Sequence, residues 1–233
     1  MPRLFFIIFL ISFVKITTCQ SESARKVFND IVDVIAVYSK NKPNLEIDEN
    51  GTNVAYLYKS TVYIDQKVID IAKGFKDDSL NMLAFILGHE LTHYYHNHNW
   101  ITRETKNDYK EFSFMQNIKY FNKDSTKRLE MEAQADLKGG FYAYLAGYNA
   151  LENTPKFLDK LYEEYELKEN VSGYPTLNER KKICVQQKEK INRLKSIFEA
   201  SNFALVTGFY KGAQEGFEKI LEQGFNSPEI YNN

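Results

Sequence analysis

The chain has 233 residues, enough to bury one main core with a small appendage. Lys and Arg total 30 against 31 Asp and Glu, and no basic patch stands out, so the composition argues against a nucleic-acid partner. Of the two cysteines, Cys184 is left alone if Cys19 departs with a leader, and no intramolecular disulfide framework then forms.

Arg3 precedes an apolar run from Leu4 to Val14, which is too short and too abruptly ended by Lys15 to span a membrane. Residues 1–19 therefore read as an export signal, with two outcomes open at its end. One is cleavage after Cys19. The other is a degenerate lipobox in which Cys19 is lipidated, although Thr18 is a poor residue before such a cysteine. The expected location is a bacterial periplasm or, with the lipid, a membrane-anchored lipoprotein; secretion is the alternative. Asn50-Gly51-Thr52 and Asn170-Val171-Ser172 match glycosylation sequons, but in an Asn-rich chain they say little about the source.

Residues 24–40 repeat apolar side chains at helical spacing, with Val27, Ile31, Val34 and Ile35 on one face, and stop before Asn41-Lys42-Pro43. Stretches 45–48, 54–58 and 61–65 predict short strands, the last two joined tightly at Lys59-Ser60. From Asp78-Ser79 a helix is expected over about 79–97, its apolar stripe formed by Leu80, Leu83, Ala84, Leu87 and Leu91. A polar loop near 98–110 and a short helix from Phe112 to Phe121 follow. Helices at about 126–147 and 155–168 come next, the second opened by Thr154-Pro155. Gly139 and Gly140 inside the first are expected to permit close helix packing. Lys-rich stretches such as Glu179 to Lys195 alternate in sign with Glu and are solvated helix faces.

Within the 79–97 helix stands His89-Glu90-Leu91-Thr92-His93. Residues four apart share a helical face, so both imidazoles can reach one zinc ion while Glu90 sits beside a metal-bound water. A catalytic zinc needs a third protein ligand and keeps a fourth position for water. His96 and His98 are near in sequence, but the elongated pattern that uses a third His requires it at position 99, which is Asn, and a glycine where His96 stands. In the 126–147 helix, Glu132 and Asp136 lie one turn apart on one face. Glu132 can ligate the metal and Asp136 can hold a ligand imidazole by its free N–H, with Glu130 as the competitor for the ligand role.

These stretches resemble the M48 zinc metallopeptidases, and in particular their soluble periplasmic type. The resemblance rests on LGHELTH from Leu87 to His93, on ExxAD from Glu132 to Asp136, and on Tyr174-Pro175-Thr176-Leu177-Asn178-Glu179-Arg180, which is similar to the family's His-Pro-x-x-x-Glu-Arg segment. Asn53-Val54-Ala55-Tyr56 before Val62-Tyr63-Ile64 is a looser match to an edge-strand region. The resemblance implies one zinc per chain on His89, His93 and Glu132, with Glu90 as general base, Asp136 beside a ligand and Arg180 close to the site. Tyr174 stands where the family has His, and a phenol can donate the hydrogen bond to a developing oxyanion that the imidazole would give.

Near the end, Gly208-Phe209-Tyr210-Lys211-Gly212-Ala213 followed by Phe217-Glu218-Lys219-Ile220-Leu221 resembles the second half of a tetratricopeptide repeat. A single repeat cannot bury its face alone, so this pair either docks on the peptidase domain or belongs to a longer array. The resulting expectation is an α+β, mainly α chain. It has a leader at 1–19, a zincin-like domain at 20–190 with a small antiparallel sheet beside the HExxH helix, and a repeat-like helical hairpin at 191–233. The function expected is an exported zinc metalloendopeptidase acting on protein or peptide substrates, with a role in protein quality control. The alternative is a catalytically weak or inactive peptidase fold that binds a protein partner through the repeat-like tail. Contact with a membrane is expected only through a lipid on Cys19.

Overall fold

A computed structural model describes residues 21–35, 41–49, 51, 53–98, 112–113, 125–167 and 176–231. The leader with Cys19, and Tyr174, lie outside these residues. The first helix, α1 (21–35), buries Ala24, Val27, Phe28, Ile31 and Val32, the face that its 3.6-residue periodicity defines. Strands β1 (Asn44–Asp48), β2 (Ala55–Tyr58) and β3 (Thr61–Asp65) follow. The β2–β3 turn carries Lys59 at a left-handed φ of 54°.

The sheet is mixed rather than antiparallel. Its order is β1-β3-β2-β4: β2 pairs antiparallel with β3, but β1 lies on the far side of β3 and runs parallel to it. β1 and β2, consecutive in the chain, lie on opposite sides of β3, an order that local periodicity does not encode. The fourth strand, β4, is Phe112–Ser113, paired antiparallel with Tyr56 and Leu57. A helix was expected from Phe112 to Phe121; at its first two residues backbone pairing with β2, a tertiary interaction, takes precedence over the local preference, and residues 114–121 lie outside those described. Both strands of the β2–β3 hairpin are thus internal among the described residues, and the outer edges belong to β1 and β4.

One element had no counterpart in the sequence reading. Helix α2 (Gln66–Lys73) starts directly from β3, capped by Asp65, whose carboxylate accepts from the Lys67 amide at 3.0 Å. Its buried Val68, Ile69 and Ala72 were the signal available. After a short 3-10 turn at Lys76–Asp78 comes α3 (Ser79–Tyr95), in which every residue from Met82 to His93 is buried. It is the central helix, flanked by the sheet through β2, by α2 and by α4 (Ser125–Leu145). Helix α5 (Thr154–Glu164) closes another side with Phe157, Leu158 and Leu161.

α3 and α4 run antiparallel, since Gly88 meets Gly139, His89 meets Asp136 and His93 meets Glu132. Their closest approach is backbone on backbone. A Cβ at Gly139 would stand 2.5 Å from the Gly88 carbonyl carbon and 2.7 Å from the His89 nitrogen, and one at Gly88 would stand 2.7 Å from the Gly139 oxygen. Gly140 on the next position admits the Ile191 side chain in the same way.

Helix α6 (Leu177–Val206) begins at a capping box: the Thr176 hydroxyl accepts from the Glu179 amide at 3.3 Å, and the Glu179 carboxylate accepts from the Thr176 amide at 2.8 Å. It then runs 30 residues without Gly or Pro, so the boundary expected between 190 and 191 falls inside a continuous helix. Gly208, at φ 81°, turns the chain into α7 (Tyr210–Glu222), which packs on α6 through Phe217 against Phe198 and Gly216 against Ser201. The chain then returns to α4, where Phe225 stacks edge-on against Phe141 and the Gly224 carbonyl accepts from the buried Lys138 ammonium at 2.9 Å. A last turn, α8 (Pro228–Tyr231), ends the described chain. No helix among the described residues is long and apolar enough to cross a membrane.

The α3–α4 contact generates a direct test. Gly139→Ala places a methyl group against rigid backbone rather than a side chain that can swing away, so it should destabilise the protein by about 1–3 kcal/mol. It should also weaken metal binding by spreading the two ligand-bearing helices. Ala at Gly147, which has open space around it though a φ of 93°, should cost stability without affecting metal affinity. Denaturant unfolding and metal titration of the two variants check this.

Candidate metal centre

Two helices converge beyond the glycine contact. α3 turns His89 and His93 toward α4 one helical turn apart, and α4 answers with Glu132. The His89 and His93 Nε2 atoms are 2.9 Å apart, His89 Nε2 is 3.4 Å from one Glu132 oxygen, and His93 Nε2 is 3.7 Å from the other. Ligand atoms about 2.0–2.2 Å from a tetrahedral zinc stand roughly 3.3–3.6 Å from one another, and the observed spacings bracket that edge. All three residues are buried, with ligand atoms within 4.8 Å of each other. Glu130, the competing carboxylate, faces solvent on the other side of α4.

The donor set is that of a dication site. Both carboxylate oxygens of Glu90 and one of Glu132 are buried without a hydrogen-bond donor among the described residues, a costly arrangement unless something else takes their lone pairs. Two imidazoles, one carboxylate and an adjacent unpaired carboxylate suit zinc with a water beside it.

The charges are mutually tuned. Burial lifts the Glu90 carboxyl to about 8, against the opposing pull of His89 and Arg180, which suits a base working near neutral pH. Burial alone would also raise Glu132, but the His89 imidazole beside it and the charges of His93 and Arg180 hold it at about 2. For His89, burial pushes down, while the hydrogen bond to Asp136 and the nearby Glu132 carboxylate push up harder, to about 9. Burial and the neighbouring cationic groups hold His93 well below the usual imidazole range.

Each imidazole is gripped from behind. Asp136 accepts from His89 Nδ1 at 2.8 Å, which leaves Nε2 facing the gap. Arg180, 2 % exposed, stands 3.6 Å from the same Asp136 oxygen, delivered there by the first turn of α6. His93 Nδ1 lies 2.9 Å from His98 Nδ1, and His98 Nε2 lies 2.8 Å from the Gln134 side-chain oxygen. His98, which motif spacing excludes as a third ligand, is instead the partner of His93, and this pairing depends on the turn after α3, which spacing alone does not convey. His96 turns away toward Lys138, 3.5 Å off. The Thr92 hydroxyl is satisfied within the helix by the Gly88 carbonyl at 2.8 Å.

Glu90 thus carries a stability cost in the metal-free protein. Its folded value of about 8 exceeds the ordinary 4.5, so the native state retains a proton that the unfolded chain releases, and stability falls as pH rises from about 4.5 to about 8. Glu90→Gln should remove that loss. In chelator-treated protein the variant should gain stability over the parent at pH 8 by a few kcal/mol more than at pH 5, read from denaturant unfolding at both pH values.

Comparison with known proteins agrees with the geometry. Residues 20–180 match the model of peptidase family M48, a span that takes in α1, the sheet, both ligand-bearing helices and Arg180. No curated protein and no solved structure gives a significant match. With well over half of its length matched, the chain belongs to peptidase family M48, a family of zinc-dependent metallopeptidases.

Proposed function

We propose that this protein is an exported zinc metalloendopeptidase in which His89, His93 and Glu132 hold the metal and Glu90 is the general base. The observation that carries the reading is Glu90. Its two buried, unpartnered oxygens beside a three-ligand cluster have no use in a closed structural site but suit a carboxylate awaiting a water. Bound zinc supplies Lewis-acid polarisation of a peptide carbonyl and acidifies a water toward neutrality. Glu90 takes the proton of the attacking water on a carboxylate oxygen and returns it to the leaving amine. Asp136 holds the His89 ring in the tautomer that ligates through Nε2, and Arg180 steadies Asp136. Tyr174 is the proposed donor to the oxyanion, in the place of the family's His.

An extended substrate would pair with a sheet edge, and of the two outer edges that of β4 borders β2, the strand that packs on α3. Export rests on residues 1–19, with lipidation or removal of Cys19 deciding between membrane-anchored and free periplasmic protein. Unfolded proteins of that compartment are the proposed substrates, in a quality-control role.

One observation favours a second reading, in which the tail works as a repeat-type binding module. Phe203, Val206, Phe209 and Tyr210 around the α6–α7 turn are each at least 65 % exposed, unusual for side chains of this size.

Hydrolysis of casein by the zinc-loaded protein separates the readings. The parent should cleave, and Glu90→Gln at equal zinc content should be slowed about 100-fold or more. His93→Ala should lose the metal itself. Stoichiometric zinc with no cleavage by either form would remove the peptidase reading in favour of the binding one.

A further inference from the structure

We infer that His98, held in turn by Gln134, is a positioning residue that fixes the proton of His93 on Nδ1 and so keeps Nε2 free for the metal. This rests on the zinc reading of the site. The three groups form a chain with one consistent direction. The Gln134 side-chain oxygen can only accept, so the His98 Nε2 facing it at 2.8 Å carries the proton. A neutral His98 with its proton on Nε2 has a bare Nδ1, which accepts from His93 Nδ1–H at 2.9 Å. His93 is then left with a bare Nε2, the atom 2.9 Å from His89 Nε2 in the ligand cluster.

Reversal of the chain has the opposite result. An amide N–H of residue 134 facing His98 would put the His98 proton on Nδ1, make His93 Nδ1 the acceptor, and load Nε2 with the proton that must be absent for ligation. With its oxygen turned to His98, as it is here, Gln134 selects the competent tautomer through two successive hydrogen bonds.

The fold builds this relay deliberately at the end of α3. The helix stops at Tyr95, His96 is its cap, and Asn97 takes a left-handed φ of 50°, a conformation Asn tolerates better than most residues. That turn folds His98 back over the last helical turn, where it is 6 % exposed and packs edge-on to the His93 ring. The two metal-binding histidines are thus supported unequally: His89 by a carboxylate backed by Arg180, His93 by a neutral imidazole backed by a carboxamide.

The test is zinc affinity of the full chain, measured by competition with a chromogenic chelator, together with the d–d absorption of the cobalt-substituted protein. His98→Phe fills the space without accepting a hydrogen bond and should weaken zinc binding 10- to 100-fold with an altered cobalt spectrum. His98→Asn places its side-chain oxygen where Nδ1 stood and should stay within about threefold of the parent. Gln134→Leu should weaken binding several-fold, whereas Gln134→Glu, which keeps an acceptor, should not. Parent-like affinity and spectrum in both His98→Phe and Gln134→Leu would overturn the inference, as would equal loss in His98→Phe and His98→Asn, which signals packing alone. If His98→Phe fails to fold, as judged by circular dichroism, the Gln134 pair decides, since residue 134 is exposed and both replacements leave the core intact. Absence of zinc binding by the parent would instead overturn the zinc reading itself.

Discussion

The contact between Gly88 and Gly139 is the constraint on which the rest depends. Two helices with side chains at the crossing keep their axes apart by the bulk of those side chains. Here there is none, and the α3 and α4 backbones touch. The consequence is felt one residue on, where His89 can reach Asp136, and one turn further, where His93 can reach Glu132. A Glu side chain is short, so without that close approach its carboxylate would fall short of the imidazoles across the gap. The His89, His93 and Glu132 cluster is in this sense a by-product of helix packing, set by the residue before the first histidine.

Around that contact the protein maintains an unfavourable set of buried charges. Glu90, Glu132, Asp136 and Arg180 are all within the core, and only part of their polar valence is met by other side chains. Such a cluster is expensive to bury, and well-packed apolar side chains of similar volume would give a core at least as stable. What sustains it is the apolar frame on every side of α3, from the sheet to α5, and the grip that each charged group exerts on the next. The value of the arrangement is chemical: a carboxylate kept basic by burial next to a carboxylate kept ionised by imidazole neighbours, two opposite outcomes for the same functional group.

The tail is not a separate piece in this structure. α6 supplies Arg180 at its first turn and forms half of the α6–α7 pair near its last, so one rigid rod connects the site to the carboxy-terminal helices. The return of Phe225 and Gly224 onto α4 fastens the other end of that pair to the helix that carries Glu132.

By itself the sequence determined the chemistry that helical periodicity can express. HExxH places two imidazoles on one face because 3.6 residues make a turn, ExxAD does the same for Glu132 and Asp136, and the apolar spacing around them marks which faces are buried. The strands, the main helices and the close-packing role of Gly139 are legible for the same local reasons. Tertiary structure decided what spacing cannot carry. The parallel placement of β1, the pairing of Phe112–Ser113 with β2, and the passage of α6 through an expected domain boundary all depend on partners distant in the chain. Most telling is His98: in sequence it is a near miss for a metal ligand, and only the left-handed turn at Asn97 and the facing Gln134 on α4 make it the support of His93. A residue's identity limits the hydrogen bonds it can form, but which of them it forms is settled by the groups that the fold brings within about 3 Å.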